Sequence, residues 1–106
     1  MRVDKTHHVD RVPPDPNQVA VASYIYDLFR FCEGDAVLVA RSYAERPQQA
    51  HFLRREVASA QIGLTVQDTR TPIFAAAVAY LRSAGLTELE WLNVEGEGYE
   101  PVLFET

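Results

Sequence analysis

Three side chains near the start of the chain are of types that bind metal ions. His7, His8 and Asp10 lie close together in sequence, and imidazole and carboxylate groups are common zinc ligands. Adjacent residues of an extended segment point in opposite directions, so the two histidines cannot easily coordinate one ion. The sequence therefore predicts a solvated segment here, and it predicts neither a metal site nor a cofactor.

The thiol of Cys32 belongs to the only cysteine of the chain. A single cysteine excludes an intramolecular disulfide and a thiolate-cluster metal site. The spacing of the apolar residues around it places Cys32 in the last turn of a predicted helix, where the helix dipole disfavours a thiolate. We expect a thiol that packs in the core and not a catalytic nucleophile.

Two carboxylates lie at the ends of predicted strands, where catalytic acids often occur. Asp35 and Asp68 would meet His51 and Arg54 only through tertiary proximity, because catalytic constellations form in space and not along the chain. Such a site would suit a small ligand or a metal-dependent reaction. Local roles, in a loop for Asp35 and in a turn or helix cap for Asp68, are the interpretation that we favour for both carboxylates. An enzyme of this kind is therefore the alternative hypothesis.

Arginines form the only basic concentration of the chain. Arg41, Arg54 and Arg55 would share one end or face of a sheet if residues 36–43 and 50–57 pair as strands. Guanidinium groups bind carboxylate and phosphate oxygens in a bidentate manner, so these arginines are a candidate anion-binding site. Pairing with neighbouring glutamates on a solvated surface is the competing interpretation.

The C-terminal part of the chain combines acidic with aromatic side chains. Glu90, Trp91, Glu97 and Tyr99 belong to a predicted hairpin. Charged residues commonly protect edge hairpins against strand addition, but aromatic anchors within a charged rim are also typical of protein interfaces. The sequence thus predicts a partner-binding face that prefers a basic protein. It allows at most a weak homodimer, because the glutamates of two copies would repel.

Composition limits the classes of partner. The net charge is −5 and Lys5 is the only lysine, which argues against a nucleic-acid partner and against lysine-based covalent catalysis. No apolar run resembles a signal peptide or a membrane-spanning helix. We therefore expect a soluble cytoplasmic protein that binds no membrane, and 106 residues suit one folded domain.

The elements that would position these residues follow a polar segment. Residues 1–14 are expected to be a mobile arm, or an arm along the edge of a sheet, and residues 15–106 a single globular domain. Asp15-Pro16 is a typical helix start, and apolar residues recur at helical spacing up to Gly34. This pattern predicts a first helix of about four turns.

The middle of the chain mixes clear and ambiguous patterns. Residues 36–40 are a continuous apolar run, typical of a central strand buried on both faces. Residues 48–60 fit a second helix, although residues 50–57 also fit a strand that returns along the first. We favour the helix because polar and apolar side chains alternate poorly in this segment. Residues 61–67 alternate and predict a half-buried strand.

The last part of the chain has well-defined local signals. Thr71-Pro72 is typical of a helix start and Gly85 of a helix end. Strands at 89–92 and 102–104, with a glycine turn between them, complete a hairpin. The predicted architecture is a single α+β domain. It has a four-stranded, mostly antiparallel or mixed sheet with two to three helices packed on one face.

No catalytic signature accompanies these elements. The chain lacks a glycine-rich phosphate loop, a nucleophile elbow, a Cys-x-x-Cys pair and a His-Glu-x-x-His motif. Together with the small size and the acidic hairpin, this favours a non-enzymatic protein-interaction or regulatory module over an enzyme.

Overall fold

The computed structural model describes residues 1–12, 22–96 and 98–102. Most of these residues form strands of one sheet, and one α-helix accompanies them. The strands are β1 (Arg2–Val12), β2 (Ala22–Glu33), β3 (Ala36–Tyr43), β4 (Gln49–Val57), β5 (Ala60–Ile62), β6 (Glu88–Asn93) and β7 (Gly98–Pro101). The helix α1 (Pro72–Ser83) follows a short 3-10 turn at Asp68–Arg70.

The seven strands are mostly antiparallel neighbours. Their order is β1-β2-β3-β4-β6-β7, and the short β5 pairs with the end of β4. β6 instead runs parallel to the start of β4, and a parallel neighbour requires a crossover, which α1 provides. β1 and β7 are therefore the outer strands of the described sheet, and the segment that was expected to be an arm lies along its edge as β1.

The expectation of a four-stranded α+β domain with two to three helices is wrong. The described part of the chain contains seven strands in one sheet and a single α-helix. The segment of the predicted first helix that is described is the strand β2, in which Phe29 and Phe31 are buried and Arg30 between them is exposed. Aromatic residues favour strands, and the apolar side chains of this segment fit both periodicities. The predicted helix start at Asp15-Pro16 lies outside the described residues.

Gly34 is a turn residue of a hairpin and not a helix stop. Together with Asp35 it connects β2 to β3, so that Glu33 pairs with Ala36. Gly34 has a φ of +59°, a conformation that glycine adopts without strain. Gly-Asp between two strand-like segments is a hairpin signal. The dipeptide therefore predicts the observed turn once the preceding segment is treated as a strand.

The segment 48–60, which fits both a helix and a strand in the sequence, contains the strand β4. The prediction of a second helix there is wrong. Val39 of β3 pairs with Arg54, whereas the next residue, Ala40, pairs with Phe52. The residue left over on β4, Leu53, forms a bulge that shifts the alternation of side chains by one position. This shift explains why apolar and polar residues alternate poorly in the sequence of β4.

The helix α1 confirms the signals at both of its ends. The Thr71 hydroxyl accepts a hydrogen bond from the Phe74 N–H at 3.4 Å, and the next residue after Thr71 begins the helix. At the other end, Gly85 has a φ of +93° and the Leu86 N–H donates to the Leu81 carbonyl at 2.9 Å. These contacts are those of a glycine-terminated helix.

The core lies between α1 and one face of the sheet. Its buried cluster comprises Phe29, Phe31, Leu38, Ala40, Ala50, Phe52, Leu64, Phe74, Ala77, Val78, Leu81, Leu86, Leu89 and Trp91. The predicted central strand is confirmed, because β3 lies between β2 and β4 and Val39 is also buried. In the described part of the chain no helix or further sheet covers the opposite face, which we call the open face.

Candidate functional site

A row of aromatic side chains crosses the open face from β1 to β7. The centroids of neighbouring rings lie 5.1 Å apart for His8 and Tyr26, 5.8 Å for Tyr26 and Tyr43, 6.3 Å for Tyr43 and His51, and 4.9 Å for His51 and Tyr99. We call these residues the aromatic row. Tyr99 is 47% exposed and the other rings are half-buried, so the row remains accessible to a partner.

The register of the strands places these rings on one face. Tyr26 pairs with His8 on one side and with Tyr43 on the other. Directly opposed residues of antiparallel strands point to the same side of a sheet. His51 pairs with Arg41 of β3. The aromatic row therefore results from strand pairing and not from a local motif.

Arg41 lies beside the aromatic row, with its guanidinium next to two tyrosine rings. The guanidinium carbon is 4.7 Å from the ring centroid of Tyr43 and 5.5 Å from that of Tyr26, distances at which cation–π attraction is effective. The Nε atom of Arg41 is buried and has no hydrogen-bond partner. None of the ion pairs between described residues includes Arg41. Among the described residues its positive charge therefore contacts aromatic faces and no carboxylate.

The predicted anion site of Arg41, Arg54 and Arg55 is divided between the two faces. Arg54 shares the open face with Arg41, and its Nη2 atom lies 3.6 Å from Glu56 Oε1. Arg55 lies on the helix side, where its Nε atom is 3.4 Å from Asp68 Oδ1. Of the three, Arg41 alone makes no ion pair within the described residues.

A shallow cleft of about 290 Å³ opens at the His51 end of the aromatic row. Its lining consists of Tyr43, Glu45, Arg46, Gln49, His51 and Glu90. The Gln49 amide donates a hydrogen bond to Glu90 Oε1 at 2.7 Å. His51 Nδ1 lies 3.8 Å from Glu90 Oε2, too far for a hydrogen bond, and it is buried without another partner.

The environment of His51 favours the neutral imidazole. Burial is the main cause that lowers the pKa of His51, and the nearby charges of Arg41 and Arg46 lower it further. The carboxylate of Glu90 acts in the opposite direction, but it does not outweigh the burial. His51 therefore contributes a neutral ring to the aromatic row at neutral pH.

The lowered pKa of His51 predicts a loss of stability in acid. A histidine with a lower pKa in the folded state binds fewer protons there, so protonation favours unfolding once the pH falls below the ordinary value of about 6.5. The variant His51→Gln cannot titrate at this position, so its free energy of unfolding should fall less in acid than that of the wild type. Urea unfolding of the wild type and the variant between about pH 7.5 and 5.5 measures this difference. His7 and His8 are common to both, and a stability difference that does not change with pH would contradict the assignment.

The structure separates the four residues of the predicted partner-binding hairpin. Tyr99 is an exposed member of the aromatic row. Glu90 lines the cleft at the His51 end of that row. Trp91 points to the other side of β6 and is only 5% exposed, within the core cluster. Its indole therefore cannot serve as a surface anchor. Glu97 lies outside the described residues.

The residues of the alternative site do not come together. His51 and Arg54 lie on the open face, and Asp35 lies in the exposed turn between β2 and β3. Asp68 is buried on the helix side, where it accepts hydrogen bonds from the N–H and the hydroxyl of Thr65 at 2.8 and 3.2 Å. These contacts give Asp68 a structural role in the turn before α1.

The two adjacent histidines at the start of the chain lie on opposite faces of the sheet. His8 stacks on Tyr26 on the open face, whereas His7 lies on the helix side with its Nδ1 atom 2.8 Å from Asp27 Oδ1. This separation follows from the alternation of side chains along a strand. Within residues 1–12, 22–96 and 98–102, no group of three or more His, Cys, Asp or Glu side chains is placed to hold a metal ion.

Cys32 lies on β2, so the expected position of its thiol at the end of a helix is wrong. The side chain is partly exposed and pairs across the strands with Arg2, whose Nη2 atom is 3.6 Å from the sulfur. It therefore lies on the open face and not in the core cluster.

A second concavity, of about 250 Å³, lies on the helix side near the end of α1. His7, Asp27, Lys5 and Ser42 contribute to its lining. A histidine held by a carboxylate, as His7 is by Asp27, can act as a general base. Ser42, however, donates its hydroxyl to the Gln49 carbonyl at 2.7 Å, so it is not poised as a nucleophile. We therefore find no basis for acyl transfer here.

Sequence reasoning identified Arg41, His51 and Tyr99 but missed two members of the aromatic row. Tyr26 lies in the segment that the spacing of apolar residues predicts as a helix, and Tyr43 is the last residue of the possible strand 36–43. The Gly34-Asp35 turn provides the missing signal. A two-residue hairpin at this turn pairs Tyr26 with Tyr43, as counting outwards from the turn predicts.

The chain matches no protein-family model, no curated protein and no solved structure. Among the helices of the described residues, none has the length and apolarity needed to cross a membrane. The function is therefore inferred from the chemistry of the open face.

Proposed function

We propose that this protein is a non-enzymatic protein-interaction module whose docking surface is the aromatic row with Arg41. The observation that carries the proposal is the guanidinium of Arg41, which lies against Tyr26 and Tyr43 and makes no ion pair among the described residues. A carboxylate of a partner protein would complete this arrangement.

The side chains of the aromatic row are those that contribute most to protein interfaces. Tyrosine and arginine are enriched among residues whose truncation strongly weakens binding. Tyrosine provides a large contact area with few rotatable bonds, so ordering it costs little entropy. Here the rings also hold one another in place, with centroids 5.8 Å apart for Tyr26 and Tyr43. The surface is thus largely ordered before a partner arrives.

The charges along the aromatic row favour an acidic segment of the partner. Carboxylates lie at the two ends, where Asp10 accepts a hydrogen bond from the Tyr26 hydroxyl at 2.7 Å and Glu90 lies beside His51. At the centre, Arg41 makes no ion pair with any carboxylate of the part of the chain that the structure describes. A partner segment that crosses the row would therefore place its carboxylate at Arg41.

Neighbouring arginines add to this positive centre. Arg30 and Arg54 share the single carboxylate of Glu56, at 3.7 and 3.6 Å. Two guanidinium groups beside one carboxylate leave a positive balance on this part of the open face. The net charge of −5 for the whole chain favours a protein over a nucleic acid as the partner.

The competing partner is a basic protein bound by the acidic hairpin. Glu90 and Tyr99 remain available for it, but Glu90 already accepts a hydrogen bond from Gln49 and Trp91 is buried. An acidic partner at Arg41 is therefore the stronger proposal. We further propose that the protein works in a reducing compartment such as the cytoplasm, because Cys32 is unpaired.

A nuclear magnetic resonance titration with two acetylated peptides, hexaglutamate and hexalysine, tests this function. Hexaglutamate is expected to shift the amide signals of Arg41, Tyr43 and His51. Arg41→Ala should weaken binding at least tenfold, as is typical of interface arginines that anchor a partner. Arg41→Lys should lose part of the affinity, because an ammonium group lacks the planar fork of the guanidinium.

Arg70→Ala is the matched control, because Arg70 is an exposed arginine of the 3-10 turn before α1. Its affinity for hexaglutamate should equal that of the wild type. Binding of hexalysine with shifts centred on Glu90 and Tyr99 would favour the basic partner instead. Shifts of the aromatic row that persist unchanged in Arg41→Ala, or no shifts with either peptide, would contradict the proposal.

A further inference from the structure

The two outer strands of the sheet differ in their protection against other chains. β7 has four residues and ends at Pro101, which has no N–H to offer. β1 has eleven residues and pairs with β2 without a bulge. Among the described residues no strand lies on its outer side. A long, regular edge of this kind presents unpaired N–H and C=O groups to another chain.

A second copy of this chain is a suitable occupant of that edge. Two β1 strands related by a twofold axis would run antiparallel and extend one sheet into the other. The axis is perpendicular to the sheet, so residues that oppose each other must belong to the same face. Because faces alternate along a strand, the axis has to pass beside one residue that faces its own copy.

Charge favours the register in which that residue is Thr6. Arg2 then faces Asp10 of the second copy, and symmetry repeats this pair on the other side of the axis. Opposite charges in directly opposed positions stabilise antiparallel strands, and so do paired threonines. On the helix side of the sheet, Val3 faces Val9, which is 51% exposed in the single chain.

The remaining pairs of this register are compatible with it. Asp4 faces His8 of the second copy. Lys5 faces His7, and both are already compensated within their own chain by Asp27, at 3.7 and 2.8 Å. Arg2 and Asp4 form an ion pair at 3.2 Å, but their side chains are 73% and 51% exposed, so both remain accessible to a second chain.

Neighbouring registers place like charges in opposition. With the axis at His7, Asp4 faces Asp10 twice. With the axis at Lys5, the two copies of Lys5 face each other. Directly opposed like charges are destabilising in sheets. The charges of β1 thus oppose these registers and fit the one centred on Thr6.

We infer that β1 is a homodimer interface, in which two chains pair antiparallel about Thr6 and continue the sheet across the twofold axis. This interface is distinct from the C-terminal hairpin, for which the sequence predicts a weak homodimer. It does not depend on the proposed function of the aromatic row, because the pairing uses the backbone and the charges of β1.

Sedimentation velocity over a range of protein concentrations tests the interface. The wild type is expected to show a reversible dimer. Arg2→Asp and Asp10→Arg should each weaken it about tenfold or more, because symmetry repeats every change. The double variant Arg2→Asp/Asp10→Arg restores opposite charges and should recover the dimer. Far-UV circular dichroism verifies that each variant is folded.

Disulfide cross-linking tests the register. Thr6→Cys in a Cys32→Ser background is expected to form a covalent dimer in a glutathione redox buffer, since the two copies of residue 6 face each other. Asp4→Cys in the same background is the control. Its two copies would be four positions apart, about 13 Å along the strands, beyond the reach of a disulfide.

Three results would overturn the inference. One is a monomer at all concentrations that shows no cross-link through Thr6→Cys. Another is a dimer whose affinity does not respond to the charge reversals. The third is cross-linking through Asp4→Cys as fast as through Thr6→Cys, which would indicate a different register or random collision.

Discussion

Trp91→Glu is expected to unfold the protein. The indole is 5% exposed and belongs to the core cluster between the sheet and α1. Removing a buried aromatic side chain costs about 3–5 kcal/mol, and the buried carboxylate adds a desolvation cost to that. The sum approaches the whole free energy of unfolding of a small domain, which is about 5–15 kcal/mol. The variant should therefore lack a cooperative unfolding transition.

Tyr99→Glu is the matched control, because Tyr99 lies on the adjacent strand of the same hairpin and is 47% exposed. We expect its free energy of unfolding to change by less than about 1 kcal/mol, as is usual for surface substitutions. Urea unfolding followed by far-UV circular dichroism compares the two, since Trp91 is the only tryptophan fluorophore. Cooperative unfolding of Trp91→Glu near the wild-type midpoint would show that the indole is not part of the core.

The contrast between these two residues illustrates what the sequence reveals of the hairpin. Its glutamates and aromatic residues indicate a strand with two different faces, but they do not say which face meets the core. Leu89 and Trp91 point to the core, and Glu90 between them lies at the open cleft. Period-two alternation predicts that Glu90 lies on the opposite face of the strand from Leu89 and Trp91. It does not predict which of the two faces is buried, because the position of α1 decides that.

Elements whose signals are local could be predicted. The cap at Thr71 and the left-handed Gly85 act within one helical turn, and α1 begins and ends where they indicate. β2 could not be assigned in the same way, because its apolar residues fit both a helix and a strand. This segment is a strand because it pairs along its length with β1 and β3. Such tertiary contacts override weak local preferences.

The candidate site could be predicted only in part, because its residues meet through distant pairings. Arg41 and His51 meet across the pair of strands β3 and β4. The bulge in β4 breaks the alternation of polar and apolar residues by which this strand could be recognised in the sequence. Tyr99 reaches His51 only because β6 runs parallel to β4 after the crossover through α1 and β7 then pairs with β6. No spacing along the chain encodes that contact.

Asp68→Ala is expected to lower the free energy of unfolding by about 2–3 kcal/mol. The carboxylate accepts hydrogen bonds from the Thr65 N–H and hydroxyl at 2.8 and 3.2 Å, and it lies 3.4 Å from Arg55 Nε. Asp68 is 8% exposed, so water cannot readily replace it. Its removal would leave Arg55 Nε, which is buried, without a nearby negative charge. Asp68→Asn should lose less, because it retains an acceptor for Thr65.

Asp35→Ala is the control for this prediction, because Asp35 is an exposed carboxylate in the turn between β2 and β3. Its stability should remain within about 0.5 kcal/mol of the wild type. Urea unfolding of Asp68→Ala, Asp68→Asn and Asp35→Ala compares what the two carboxylates contribute to the free energy of unfolding. An Asp68→Ala protein as stable as the wild type would mean that the carboxylate is not needed by the fold, and it would restore Asp68 as a candidate for chemistry.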